Sequence, residues 1–410
     1  MYLKGNVAKN TIAMVLAGGK GERLSPLTNS RPKPGVAFGG KYKIIDFVLS
    51  NLFNSGIKKV YILTQYRAYS LYKHIRESWA KWTGLGEFFV AISPETRNES
   101  EEWFKGTADA IFQYLRFIES SDADYVAIFG GDHIYKMDIS QMIEHHRIND
   151  ADITIAALEV PVVDARRFGV FSVDDDFRVT GFAEKPDNPE TIPGRDTCFA
   201  SMGNYIFSTK RLIEVLQAGK KLHEDLDFGK HVIPMMLENN DRVFAYNFND
   251  NVIPGMKSNE IGYWKDVGTI DSYYEANMDL IHVSPQLNLY NYEWPVLTNQ
   301  GNLPPAKTVF DDDGRRGLNV DAYVCAGCIT SGGTVRRSII GPRGMIHSYS
   351  LVEDSILFEN VSVGRYARIK RAIIDKNVVI PEGAVIGYDH AEDLRNGHTV
   401  TESGIVVVSK

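Results

Sequence analysis

Ile12-Ala13-Met14-Val15-Leu16-Ala17-Gly18-Gly19-Lys20-Gly21-Glu22-Arg23-Leu24 sets an unbroken apolar run directly against three glycines and an arginine. An apolar run of that length, closed by glycine, predicts a strand buried on both faces, as in parallel sheets. The glycines let the backbone turn sharply and bring bare N–H groups close to a bulky ligand. Arg23, with Lys33 in the following Arg31-Pro32-Lys33-Pro34, adds two cations at the same mouth. Free amides and two cations at a strand end suit a polyphosphate; a glycine turn with solvated cations is the plainer alternative. Two familiar phosphate loops are excluded by spelling. A Walker loop needs Lys-Ser/Thr where Glu22 and Arg23 stand, and a dinucleotide fingerprint needs glycine where Leu24 stands.

Around this run, apolar segments alternate with amphipathic ones. Strands are expected over 12–16, 59–64, 88–92, 125–129 and 153–158, and helices over 45–55, 68–82, 108–120 and 139–149. Such alternation predicts a mainly parallel α/β sheet, with ligands at the carboxyl ends of its strands. Between Val170 and Phe207 the segments shorten and carry Gly and Pro, which suggests a lobe that shapes a substrate pocket.

The composition shifts after His282. Residues 284–313 carry Pro285, Pro295, Pro304 and Pro305, several Asn and an Asp run, and read as a linker. Beyond it Ile339, Met345, Leu351, Leu357, Val363 and Ile369 recur at steps of six; after one step of five, Ile374, Ile380 and Ile386 resume the spacing. Neither helix nor simple strand has that period. A coil with three flat faces places one inward side chain per face, which is a left-handed parallel β-helix. The expected division is 1–283 for an α/β catalytic domain, 284–313 for a linker and 314–410 for the solenoid.

A chain of 410 residues exceeds the roughly 250–300 at which one core stops growing. The formal net charge of −7 argues against nonspecific nucleic-acid binding, so any phosphate site is a local cluster. Cys198, Cys325 and Cys328 are too few for a disulfide framework, and the single Cys325-Ala326-Gly327-Cys328 lacks the partners of a zinc site. Residues 1–10 lack the apolar core of a signal peptide and no run approaches a membrane span, so a cytoplasmic protein with no membrane partner is expected.

Several short motifs carry chemistry. Asp132, in Gly130-Gly131-Asp132-His133 at the end of an expected strand, suits a Mg²⁺ held beside phosphates, and Asp266, in Trp264-Lys265-Asp266-Val267-Gly268-Thr269, offers a second carboxylate. Glu184-Lys185-Pro186 could grip a sugar hydroxyl and a phosphate; a solvated pair fits the same residues. In Trp103-Phe104-Lys105-Gly106-Thr107-Ala108-Asp109-Ala110, Thr107 reads as a helix N-cap after a glycine turn. Asp227-Phe228-Gly229 invites a kinase reading that fails for want of a His-Arg-Asp loop. His145-His146 has no Glu-x-x-His companion and reads as surface. No Ser or Cys stands in a nucleophile elbow, so covalent catalysis has no candidate.

Taken in order, LAGGKGERLSPLT, RPKPGVAFGGKYKIIDFVLSN, LTQY, WFKGTADA, GGDHIY, FGV, EKP, ASMGNYIF, DFGKHVIP, YWKDVGT, LPPAK and IIDKNVVIPEGAVIG resemble the bacterial glucose-1-phosphate adenylyltransferases (ADP-glucose pyrophosphorylases) over nearly the whole chain. The glycine string alone marks only the wider sugar-phosphate nucleotidyltransferases. The resemblance implies a Rossmann-like, GT-A-like nucleotidyltransferase domain followed by the β-helix. It also implies Mg²⁺-dependent, in-line transfer of adenylyl from ATP to α-D-glucose 1-phosphate, the committed step of glycogen synthesis. It further implies roles for residues. Gly18, Gly19 and Gly21 would cradle the ATP phosphates with Arg23 and Lys33 on the β/γ side, Leu16 would belong to the ATP site, and Gln65, Gly106, Thr107, Ala108 and Asp109 would face the adenosine. Asp132 and Asp266 would hold the metal, while Gly169, Glu184, Lys185, Ser201 and Tyr205 would line the glucose 1-phosphate site.

Family members are typically homotetramers switched by small anionic metabolites between the two domains. In well-known enteric members a Lys precedes the Arg-x-Lys-Pro element; here that residue is Ser30, which leaves the effector open. Arg31, Lys43, Arg371 and Lys376 would make an anion site, or a solvated basic face. Phe104 stands where a hydroxylated aromatic is common. The alternatives are a catalytically silent regulatory subunit and a pyrophosphorylase using another nucleoside triphosphate. Acyl transfer by the solenoid is not expected, because the hexad run covers about three coils and His347 is its sole histidine.

Overall fold

The computed structural model describes residues 8–19, 21–65, 68–84, 89–93, 104–299, 301–312 and 314–410. Lys20 of the glycine string, Tyr66, Phe88, Trp103 and residues 1–7, all used in the sequence reading, lie outside the described residues.

One sheet holds β1 (Thr11–Leu16), β2 (Lys59–Leu63), β3 (Phe89–Ser93), β4 (Tyr125–Gly130), β5 (Ile153–Pro161), β6 (Gly169–Val173), β7 (Val179–Glu184), β8 (Thr197–Ser208) and β9 (Val243–Asn247). Its order is β7-β6-β8-β4-β1-β2-β3, with β5 on β8 and β9 on β5. The β4-β1-β2-β3 core is parallel, and so is β5-β9; β8 runs antiparallel to β4, β5 and β6. The segment expected as a separate lobe of short strands is instead one 12-residue strand with a hairpin beside it, continuous with the main sheet.

β1 is central because both its faces are apolar. Ile12 and Met14 enter a cluster with Ile111, Val126, Ile128 and Phe207, while Ala13 and Val15 enter another with Val48, Leu49, Leu52 and Trp79. Alternate side chains on opposite faces follow from the strand period of two. Each large aliphatic buried this way contributes about 1.5–3 kcal/mol. The helices on these faces include α1 (Ile44–Asn54), α2 (Tyr69–Gly84), α3 (Thr107–Gln113), α4 (Leu115–Glu119) and α5 (Ile139–Ile148). The helix expected over 108–120 is two helices that meet at Tyr114, and its N-cap is Gly106 rather than Thr107. His146 is buried, not on the surface: its ring nitrogens meet Thr154 and Ser208 hydroxyls at 2.9 and 3.1 Å.

Asp46, wholly buried at the start of α1, ties three segments together. It accepts from the Lys43 N–H at 2.8 Å, the Trp79 indole at 3.1 Å and the Thr298 hydroxyl at 2.7 Å, and faces His74 Nε2 at 2.7 Å. Burial pushes its pKa up, but His74 and these hydrogen bonds hold it below the usual carboxylate value.

From Lys307 onward the chain winds into a left-handed parallel β-helix whose three faces are two five-stranded sheets and one six-stranded sheet. Its first strand, Lys307–Val309, lies inside the stretch expected as linker, so the solenoid begins ahead of the hexad run. Leu287, Trp294 and Val296 of that stretch are buried as well. The interior column is Ile340, Ile346, Val352, Leu357, Val363, Ile369, Ile374, Ile380 and Ile386. The hexad reading is therefore right from Leu357 on and one residue early before it: Met345 and Leu351 are only half-buried, and Ile339 faces away from the solenoid interior. Ile339, Ile356, Ile373 and Val407 instead form an outer column packed on Ile270, Tyr273 and Tyr274 of α6 (Ile270–Asp279), together with Leu24 and Leu27. That single cluster joins the solenoid to the segment just after the glycine loop.

One solenoid corner carries Asp321, Arg337, Asp354 and Arg371, one per coil, all at positive φ (50°, 43°, 46° and 50°). Arg337 makes two hydrogen bonds to Asp354, at 2.7 and 3.0 Å. Among the described residues no helix is long and apolar enough to cross a membrane.

Candidate active site

The carboxyl end of β1 opens into the glycine loop, as strand ends in such sheets do. Ala17 N–H donates to the Leu63 carbonyl and Gly131 N–H to the Leu16 carbonyl, each at 2.9 Å, so the loops after β1, β2 and β4 converge. Gly21 has φ +63°, a left-handed turn that aims the following Glu22–Leu24 turn back over the cleft. Gly18 packs against Gln65, and Gly19 faces open space. Gln65 Nε2 donates to the Phe104 carbonyl at 3.4 Å.

A two-residue ladder brings the carboxylates together. Trp264–Lys265 pairs antiparallel with Ile134–Tyr135, which sets Asp266 opposite the Asp132-His133 turn. The ammonium of Lys33 lies between them, 3.1 Å from Asp132 Oδ2 and 2.6 Å from Asp266 Oδ1, with its side chain only 6% exposed. Arg23 reaches the same carboxylate more loosely, 3.8 Å from Asp266 Oδ2. Burial would raise the Asp132 pKa, but His133 and Lys33 hold it below the ordinary value; burial lowers that of His133. Asp132, His133 and Asp266 present ligand atoms all within 4.8 Å of one another. Two carboxylates beside the glycine loop fit a hard divalent cation, whose remaining positions substrate oxygens and water would fill. His133 was not singled out from sequence.

The residues expected to line the sugar site lie around the β6–β7 hairpin and on β8. Gly169 pairs with Glu184, and Lys185 sits at φ 48° with its N–H on the Phe168 carbonyl at 3.0 Å. Lys185 Nζ lies 3.1 Å from Glu184 Oε1 and is largely exposed. Ser201 and Tyr205 flank a register shift in β8, and the Tyr205 ring leans on Phe228 at 5.2 Å. Trp264 connects the two halves, with its ring 4.7 Å from that of His133 and 5.5 Å from that of Phe168. Its indole N–H is buried without a hydrogen-bond partner among the described residues.

Two residues expected at the adenosine turn elsewhere. Asp109 is 2% exposed and is engaged by Lys220 at 2.6 Å, the Lys105 N–H at 3.1 Å and Gln113 at 3.0 Å. Thr107 faces Asp227 and Phe228. Phe104 stands edge-on to Tyr114, with ring centroids 6.2 Å apart.

The basic residues expected as an effector site separate into two groups. Arg31 is buried and bonds Asp375 of the solenoid through one nitrogen, at 2.7 and 2.5 Å, while its Nε and Nη1 are buried without partners among the described residues. Lys43 and Lys376 stand nearby: burial, then Arg31 and Lys376, push the Lys43 pKa down to about 8, and burial with Arg31 lowers that of Lys376. Arg371 sits on the solenoid corner instead, its guanidinium over the Tyr274 ring at 5.4 Å. A cleft of about 700 Å³ beside this cluster is lined by Lys41, Lys43, His74, Arg343 and Glu359 among others.

Residues 12–282 match the family model described as nucleotidyl transferase, and residues 304–408 match GlmU-like, C-terminal hexapeptide. A glucose-1-phosphate adenylyltransferase of Geobacter metallireducens is 83% identical over 409 residues, covering 100% of this chain and 99% of its own. That of Trichlorobacter lovleyi is 77% identical with the same coverage, and that of Deinococcus deserti is 49% identical over 97% of this chain and 98% of its own.

Proposed function

The chain belongs to the nucleotidyl transferases and, within them, to the glucose-1-phosphate adenylyltransferases, and from that premise we propose that the cleft at the end of β1 is where its two substrates meet. The enzyme transfers adenylyl from ATP to α-D-glucose 1-phosphate, giving ADP-glucose and diphosphate, the committing step of glycogen synthesis. The sugar phosphate already carries a nucleophilic oxyanion, so its attack on the α-phosphorus needs no general base. What opposes it is repulsion between two polyanions and charge on the departing diphosphate.

In this reading the amides of Gly18, Gly19 and Gly21, with Arg23 and Lys33, receive the triphosphate, and Leu16 borders the ATP site. Gln65 and the 106–109 backbone face the adenosine. Gly169, Glu184, Ser201 and Tyr205 hold the sugar, with Lys185 on its phosphate. These residues act by positioning and by fixed charge. Nucleotidyl transferases of this kind use a divalent metal. Asp132 and Asp266 would hold Mg²⁺, which would add charge neutralisation at the phosphates. The observation that carries the reading is the Lys33 ammonium fixed between those two carboxylates beneath the glycine loop.

The two nitrogens of buried Arg31 that have no partner among the described residues, with Lys43 and Lys376 beside it, support a small anionic metabolite as effector. With Ser30 in place of lysine, one charge fewer favours a monophosphate or carboxylate over a bisphosphate. The catalytic part spans 1–283 and the solenoid runs from Lys307 to the last residue, the assembly is a homotetramer, and the site of action is the cytoplasm. Diphosphate release from ATP and glucose 1-phosphate tests the whole reading. The assay is run with and without Mg²⁺, with UTP and dTTP as competitors, and with fructose 6-phosphate, fructose 1,6-bisphosphate, pyruvate and AMP as effectors. Faster release from UTP than from ATP would overturn it.

A further inference from the structure

Asp227-Phe228-Gly229 lies across the cleft, and its contacts run in both directions. Toward the nucleotide loop, the Thr107 hydroxyl donates to Asp227 Oδ2 at 2.9 Å and accepts from the Phe228 N–H at 3.2 Å, while the Asp109 N–H donates to the Leu226 carbonyl at 2.8 Å. Within the segment, Asp227 Oδ1 accepts from the N–H groups of Gly229 and Lys230 at 3.0 and 3.1 Å, which caps the turn they begin. Toward the sugar side, Gly229 backs directly onto the Glu184 carboxylate: a Cβ there would lie 2.5 Å from Glu184 Oε2. The neighbouring Phe228 ring supports Tyr205.

We infer that Thr107, although it sits on the nucleotide loop, is a positioning residue for the sugar site. Its hydroxyl is committed as donor to Asp227 and as acceptor to Phe228, so it serves as the pin of a strap. The order of action is Thr107, Asp227, Gly229, Glu184. The pin sets the Asp227 carboxylate, the carboxylate sets the turn at Gly229, and that turn is the wall against which Glu184 is held. Loss of the hydroxyl leaves Asp227 Oδ2 and the Phe228 N–H without this partner and lets the wall shift. Glucose 1-phosphate binding then suffers from a change on the opposite side of the cleft.

The inference rests on the assignment of Glu184 to glucose 1-phosphate, so the test carries that assignment as a control. Thr107→Val keeps the shape and removes both hydrogen bonds; we expect the KM for glucose 1-phosphate to rise about tenfold, with the KM for ATP changed less than about twofold. Thr107→Ser restores the hydroxyl and should return the constant to near the parent value. Gly229→Ala, which presses on Glu184 without touching Thr107, should raise the same constant and leave the ATP constant alone. Glu184→Gln should raise it too. An unchanged constant in Glu184→Gln overturns the sugar-site assignment and the inference together. A raised constant there with an unchanged one in Thr107→Val overturns the inference alone. A rise in the ATP constant, or a failure of Thr107→Ser to rescue, would also sink it.

Discussion

Lys33→Met removes the cation between the two acidic groups while keeping most of the apolar stem. The ammonium stands 2.6 Å from one carboxylate and 3.1 Å from the other with 6% of the side chain exposed. At an effective dielectric of about 20 each contact is worth roughly 5–6 kcal/mol of gross Coulomb attraction. After desolvation, a hydrogen bond to a charged group leaves about 1.5–3 kcal/mol net. A divalent cation entering the parent cleft must compete with that ammonium; in the variant it does not. Metal affinity without nucleotide should therefore tighten by about 10–100-fold, the equivalent of about 1.4–2.8 kcal/mol. Turnover should move the other way, falling by about 10³-fold or more, because the same ammonium is lost to the triphosphate. Mn²⁺ titration followed by the electron paramagnetic resonance of the free ion measures the first quantity, and diphosphate release the second. A variant that binds Mn²⁺ no better than the parent would refute the idea that Lys33 holds the metal position.

Other changes should separate the remaining roles. Asp132→Ala should lower turnover by several orders of magnitude even at saturating Mg²⁺, checked by diphosphate release. Lys185→Ala should mainly raise the KM for glucose 1-phosphate, by about 10²-fold, as loss of a charged contact to its phosphate requires; an unchanged KM would take Lys185 out of the site. Asp375→Ala leaves buried Arg31 without its counter-charge and should cost about 3–5 kcal/mol of stability, read by denaturant melts. Lys43, lowered from 10.5 to about 8, should lose its proton as pH rises through 8. Anion affinity should hold below that pH and weaken above it, with proton uptake on binding near pH 8, measured by calorimetry in buffers of different ionisation enthalpy. Because the unfolded chain binds the more protons between pH 8 and 10.5, this lysine's contribution to stability rises with pH across that window.

Local patterns were legible where one physical rule acts alone. The five apolar residues of β1 could only be buried on both faces, and the glycine loop that follows them is where the strand end places it. The solenoid register was legible only in part. Doublets such as Ile339-Ile340, Ile356-Leu357 and Ile373-Ile374 put two aliphatics side by side, one for the interior and one for the contact with α6. A count of six cannot tell which is which. Thr107 resembles a cap in sequence, yet its hydroxyl is drawn 120 residues away to Asp227. The Arg31–Asp375 pair joins residues 344 apart, and nothing local to either announces it. Asp132 and Asp266 could be matched by residue type, but not the Trp264 ladder that sets them face to face.

The corner column of Asp321, Arg337, Asp354 and Arg371 bears on how the solenoid finds its order during folding. Stacked coils of near-equal length look alike to one another, so a coil can in principle dock on the wrong neighbour. Alternating sign distinguishes them. With every coil in place each acid of the column has a base on the neighbouring coil, and Asp354 is hydrogen-bonded to Arg337. Omit one coil and Asp321 would rest on Asp354, or Arg337 on Arg371, about 4.8 Å apart and repelling by roughly 1–3 kcal/mol at this exposed edge. The alternating signs thus act as a parity code, disfavouring by like-charge repulsion a stack that has skipped one turn.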